Sequence, residues 1–183
     1  MIDSDFEIEI ITQGWLESTP GHAEYDLCSH GDIRVVIGGC TIAPVDDESD
    51  YTISTSALAL LRTLESDHSP EQPVADRLVL CCGMILMTSC PIGIDWSVSH
   101  LGGRVRLHDV VRYDSVDESE AVRFPGLSVE LSEDEYRRRI VAYAEKAKQL
   151  FEGVEKTLDE DWERQVYEEF WQEYDARLSR AGG

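Results

Sequence analysis

Through most of the first hundred residues, apolar positions recur with a period of two. Phe6-Glu7-Ile8-Glu9-Ile10-Ile11 alternates apolar and acidic side chains, which predicts a strand with one wet face. Ala23, Tyr25 and Leu27 alternate with Glu24 and Asp26 and predict a second short strand before His30-Gly31. Ile33–Ile37 and Cys40–Ala43 flank Gly38-Gly39, a pair that supplies the positive φ of a two-residue hairpin turn. The period then changes. Apolar residues at Ala57, Leu58, Leu60, Leu61 and Leu64 form one helical stripe, with Ser54, Thr55 and Ser56 as N-cap candidates, so a helix near 55–66 is predicted. Pro70 disfavours helix in the residue before it and sets a limit near Asp67-His68. Leu78 to Met87 is almost continuously apolar, as in a central strand buried on both faces. Ile94, Trp96 and Val98 alternate with Asp95, Ser97 and Ser99, and Gly102-Gly103 turns the chain into Val105–Val110. A tight turn there pairs His100 with Val105, Val98 with Leu107 and Trp96 with Asp109.

The last third of the chain is helical in pattern. Ser132 and Glu135 make a capping box, Leu131 and Tyr136 a hydrophobic staple, and Tyr136, Ile140, Tyr143, Ala147 and Leu150 a single apolar stripe that Gly153 ends. Thr157 and Glu160 repeat the capping pattern ahead of Trp162, Val166, Phe170, Tyr174 and Leu178, with Tyr167 and Trp171 widening the band. The expected fold is therefore α+β: a mainly antiparallel sheet of about six or seven strands, one inserted helix and two C-terminal helices packed on the sheet. One domain over 1–183 is expected, strand-rich in 1–113 and helical in 131–179.

Charge sharpens this picture. The 183 residues hold 37 acidic and 16 basic side chains, a net charge of −21, with 42% hydrophobic residues. That apolar content suits a folded core, not a disordered chain. Residues 1–76 carry 16 acidic and 2 basic groups, 77–113 carry 2 and 4, and 114–183 carry 19 and 10. Only the middle escapes the acidic bias, as a buried sheet should. A field of this sign repels phosphate backbones and anionic lipid, so neither direct nucleic-acid binding nor membrane binding is expected. It attracts a basic protein and speeds the encounter. The longest uncharged apolar stretch, Leu78 to Cys90, is too short and too rich in Cys, Gly and Ser to span a bilayer, and Met1-Ile2-Asp3-Ser4-Asp5 lacks the basic start of a secretory signal. An odd set of five cysteines without regular spacing fits reduced thiols, and a cytoplasmic location is expected.

Catalytic and metal chemistry leave weaker marks. Cys82, Cys90, His100 and His108 have ligand chemistry, but their spacing matches no zinc motif, and a tight hairpin puts the two histidines on opposite faces, so no metal site is expected. The acidic run Asp46, Asp47, Glu48 and Asp50 fails as a calcium loop because Tyr51 and Ala57 stand where glycine and glutamate are required. No phosphate-binding glycine loop is present and no cofactor is expected. A thiol enzyme would use Cys90 as nucleophile and His100 as base, with Asp95 or Asp109 orienting the imidazole, yet no cation beside Cys90 lowers its pKa. The expectation is instead a non-enzymatic acidic protein that neutralises or escorts a basic partner, in the manner of inhibitors and toxin-immunity proteins. Its contact surface is expected at Trp162, Tyr167, Glu168, Glu169 and Trp171, together with the acidic run 46–50. The alternatives are a nucleic-acid mimic and the Cys90–His100 enzyme. The sequence sets no oligomeric state.

Overall fold

The computed structural model describes residues 5–16, 23–43, 50–81, 85 and 91–182. The strands are β1 (Phe6–Ile10), β2 (His30–Gly31), β3 (Ile33–Ile37), β4 (Cys40–Ala43), β5 (Tyr51–Thr52), β6 (Val79–Leu80), β7 (Gly93–Leu101), β8 (Arg104–Tyr113), β9 (Val122–Arg123) and β10 (Val129–Ser132). Helix α1 (Ile53–Arg62) follows β5, α2 (Glu133–Gln149) follows β10, and α3 (Asp161–Gly182) ends the chain. All strand pairs are antiparallel, so the chain has the α+β class its pattern predicts. β1-β3-β4 form one sheet, and β10-β8-β7-β6-β5-β2 form the other, with β9 on β8. The two adjoin at Asp32, whose carbonyl accepts the Ile11 N–H at 2.9 Å between β2 and β3.

Both double-glycine turns close hairpins. Gly102 and Gly103 have φ of 60° and 80°, which a side chain rarely adopts, and they join the two longest strands. At Gly93 the reason for glycine is close approach, since a Cβ there would lie 2.2 Å from the Val79 carbonyl oxygen across the β6–β7 pair. The expected register holds for His100–Val105 and Val98–Leu107, but not for Trp96–Asp109. Ser97 faces His108 while Asp95 faces Val111, so Asp109 and Val110 together oppose Trp96 in a β-bulge. Asp109 takes a φ of +52° there. Its side chain and that of His108 are consecutive outward residues between buried Leu107 and buried Val110.

Several expectations are corrected. Residues 23–25 form a turn, not a strand, because the Asp26 carboxylate accepts the backbone N–H groups of Leu16 and Cys28 and draws the chain out of an extended path. Helix α1 starts at Ile53, with Thr52 as N-cap and no side-chain capping bond. Ser54 and Ser56 lie inside it, where they serve other elements. Only Val79–Leu80 of the apolar run is a described strand, and 82–84 and 86–90 lie outside the described residues. The Ser132 hydroxyl accepts the Glu135 N–H at 3.2 Å as expected. Thr157 does not cap α3, and the Glu163 carboxylate instead accepts the N–H groups of Asp159 and Glu160.

One contiguous set of buried side chains runs from Phe6 through Trp96 to Tyr174. Helix α2 packs on β1, β8 and β10, whereas α3 packs on α1 and α2 and makes no comparable contact with the sheet. Ion pairs fasten it there. The Arg62 guanidinium forks onto Glu173, with Nε to Oε1 at 2.8 Å and Nη2 to Oε2 at 2.7 Å, while Arg177 and Arg180 reach Glu65. The Arg62 fork holds the Glu173 carboxyl at about 2 against an opposing effect of burial, with Arg177 helping. A carboxyl depressed in the folded state stabilises above its ordinary value near 4.5, and that contribution is lost as pH falls toward 2. Glu173→Gln is therefore expected to cost about 1 kcal/mol at neutral pH, since the pair is partly solvated. Thermal melts of the two proteins should converge as pH is lowered from about 5 to 2, and a constant difference would show that the carboxylate charge is not what holds α3.

Candidate functional site

Helix α3 has a single fully buried residue, Tyr174, whose hydroxyl donates to the Ala144 carbonyl at 2.7 Å. Its other aromatics form a chain of edge contacts. Trp15 meets Phe151 at 4.8 Å between ring centroids, Phe151 meets Trp171 at 4.7 Å, and Trp171 also touches Phe170, Tyr174 and Tyr167. Trp171 is thus the hub that ties the 150–160 turn to α3. Burial pushes the Tyr167 hydroxyl up to about 12. Trp162, by contrast, is 54% exposed, and Glu168 and Glu169 are exposed further along the same helix. Of the acidic run, Asp46, Asp47 and Glu48 lie outside the described residues. Asp50 is exposed, and its carboxyl is raised first by partial desolvation and then by the carboxylates of Asp32 and Asp26.

Between the α2 end and α3 lies a cleft of about 200 Å³ lined by Lys148, Phe151, Glu152, Tyr167, Trp171 and Asp175. Lys148 is paired with Asp175 at 2.5 Å, while Glu152 has no ion-pair partner among the described residues. An apolar aromatic wall with a free carboxylate at its rim suits the stem and head of a lysine or arginine side chain. The protein itself uses this chemistry next door: Lys156 Nζ sits 3.5 Å over the Trp15 ring and donates to the carbonyls of Ala23 and Asp26, both at 2.6 Å.

The described histidines each meet an aspartate, with different consequences. His30 Nε2 lies 3.4 Å from Asp26 Oδ1. Burial pulls the Asp26 carboxyl up, but bonds from His30, Leu16 and Cys28 outweigh it and hold the group below its ordinary value. His68 is 1% exposed and fully engaged: its Nδ1 accepts the Val74 N–H at 3.1 Å, so Nε2–H donates to Asp95 Oδ1 at 2.9 Å. Asp95 also accepts the Leu78 N–H, so it fastens the 68–78 segment to β7 and does not orient His100. His100 Nδ1 pairs with Asp67 at 2.8 Å instead, on the wall of a cleft of about 190 Å³ that includes Tyr136, Glu133 and Arg137. The Asp67 carboxyl is lowered chiefly by that side-chain bond and by the His100 N–H. His108 Nδ1 meets Asp109 Oδ2 at 2.6 Å and its Nε2 meets Ser99 Oγ at 3.1 Å.

Cys90 and Cys82 lie outside the described residues. Burial pushes the Cys28 thiol up to about 12, which keeps it protonated and inert. Among the described residues no group of three His, Cys, Asp or Glu side chains converges as a metal site, and no helix is long and apolar enough to cross a membrane. Sequence reasoning missed Asp67 and Ser99, which neighbour their histidines only after the chain folds. Comparison with protein-family models, curated proteins and solved structures finds no match to this chain.

The placement of the tryptophans separates scaffold from surface. Trp171→Ala removes a hub of ring contacts and is expected to cost about 3 kcal/mol, whereas Trp162→Ala should stay within about 0.5 kcal/mol. Denaturant unfolding of both variants checks this, and equal losses would contradict the inward role of Trp171.

Proposed function

We propose that the chain is an acidic binding protein that neutralises or escorts a basic protein partner, as inhibitors and toxin-immunity proteins do. The observation that carries this reading is the aromatic cleft of Phe151, Tyr167 and Trp171 with the Glu152 carboxylate, unpaired among the described residues, at its rim, on a chain of net charge −21. Long-range attraction brings a basic surface in, and the cleft takes one lysine or arginine side chain as an anchor. Exposed Trp162, Glu168 and Glu169 extend the same helix as rim contacts. Trp171 and Tyr167 contribute as the cleft's wall, held by the scaffold, and not as free anchors.

Nucleic-acid mimicry differs only in the partner's usual ligand and predicts the same surface charge. The test is a pull-down with the tagged full chain from a nuclease-treated lysate of its source at low and high salt, with bound proteins identified. The wild type is expected to retain a basic protein that salt releases, and Glu152→Lys with Glu168→Lys and Glu169→Lys to lose it while melting normally. Retention of nothing under either condition, or equal retention by the triple variant, overturns this reading. The partner's own activity then distinguishes inhibition from mimicry.

A further inference from the structure

Adjacent residues in a strand point to opposite faces, so a histidine and the aspartate that follows it do not ordinarily meet. The β8 bulge breaks that rule. With Asp109 at a φ of +52°, His108 and Asp109 both project outward, and Asp109 Oδ2 reaches His108 Nδ1 at 2.6 Å. A left-handed backbone at a non-glycine residue costs about 1 kcal/mol or more and persists only where the surroundings impose it. The neutral imidazole then carries its proton on Nδ1, facing the carboxylate, which leaves Nε2 as an acceptor. Ser99 Oγ lies 3.1 Å from that nitrogen and donates to it. A hydroxyl, a base and an orienting carboxylate are therefore joined in the order that nucleophilic catalysis requires. A fourth group shares the face. Arg106 pairs with Ser99 across the ladder, so its side chain starts about 5 Å from that of Ser99. Its guanidinium has no ion-pair partner among the described residues.

We propose that Ser99, His108 and Asp109 form a nucleophilic site on the outer face of the β7–β8 hairpin that takes the acyl group of a small carboxylic ester, with Arg106 facing the carbonyl oxygen. The Ser99 oxygen attacks the carbonyl carbon while its proton passes to His108 Nε2. The tetrahedral oxyanion sits against the Arg106 guanidinium. Collapse breaks the ester C–O bond, the alcohol leaves with the proton from Nε2, and the acyl group stays on Ser99. Water then attacks with Nε2 again taking the proton, releases the carboxylic acid and restores the Ser99 hydroxyl. Asp109 is a positioning residue that fixes the tautomer and steadies the imidazolium. This activity is independent of the binding reading, because none of these residues lines the α3 cleft.

The test uses the full chain with p-nitrophenyl acetate, following nitrophenol release and locating the acetyl group by peptide mass. Wild type is expected to acetylate at Ser99. Ser99→Ala removes the adduct, and His108→Asn slows acylation about 10²-fold. Asp109→Asn slows it about tenfold with the half-saturating ester concentration unchanged, as a positioning role requires. Asp109→Gly relieves the left-handed backbone, so it should melt at or above the wild-type temperature and still acylate slowly. No acylation by wild type, an adduct elsewhere, or wild-type rates in His108→Asn or Asp109→Gly overturns the proposal.

Discussion

A helix buried on nearly all sides must find a partner for the polar atoms it carries, and α1 does so by gripping its neighbours. The Ser54 hydroxyl accepts the Ser29 N–H at 3.1 Å. The Ser56 hydroxyl donates to the Thr52 carbonyl and accepts the Leu80 N–H, which draws the short β6 strand onto the helix. Beyond its last turn, the Thr63 hydroxyl donates to the Leu60 carbonyl and accepts the Tyr136 hydroxyl at 2.8 Å, fixing α2. Arg62, at the solvent end, forks onto Glu173 and fixes α3. The helix that lacks a side-chain cap of its own is thus the one through which sheet, α2 and α3 are held in place. Its serines look like N-cap signals in the sequence because the same short hydroxyls serve either purpose, and burial decides which.

What was legible in the sequence is what depends on neighbours along the chain. Glycine pairs at 38–39 and 102–103 need positive φ wherever the strands go, and Ser132 caps α2 because its partner is three residues away. What was not legible depends on distant segments or on one inserted residue. The turn at 23–25 looks like a strand in pattern, but Asp26 is drawn to the N–H groups of Leu16 and Cys28, and Thr157 and Lys156 bond back to Glu24 and Ala23. Helix α3 has an aromatic band wide enough to suggest a sheet-facing helix. Its ring partner outside the helix is instead Phe151, which in turn meets Trp15, and sequence spacing cannot bring either to it.

The same distinction explains the histidines. The sequence supplied His100 with carboxylates on its own hairpin, Asp95 and Asp109, of which strict alternation places only Asp109 on its face. The fold gives Asp95 to His68 and Asp109 to His108, and it brings Asp67 to His100 from the segment after α1. Two causes suffice. The 67–78 segment pairs along β7, with His68 N–H to the Val98 carbonyl at 2.9 Å, and so carries both Asp67 and His68 onto the hairpin. The bulge inserts one residue in β8 and turns the Asp109 side chain from the buried Trp96 face to the outward face of His108. The tight-turn register runs from Leu101–Arg104 to Ser97–His108 and is lost beyond, where one extra residue turns one carboxylate to the other side.

Charge finally separates the two surfaces for which roles are proposed. Residues 1–76 and 114–183 carry all of the negative excess, −14 and −9, while 77–113, which include the hairpin, carry 4 basic and 2 acidic groups. The cleft at α3 lies within the acidic portion and the Ser99 face within the near-neutral one. A negative field opposes the build-up of negative charge on an oxyanion, so the proposed acyl-transfer step needs a local cation to succeed. Arg106, opposite Ser99, is placed to be that cation; Arg104 on the same strand is bound to Glu130 and Arg112 to Asp114. Among the described residues, the hairpin leaves an arginine without a carboxylate at the position where a developing oxyanion would need one, in a protein with more than twice as many acidic groups as basic ones.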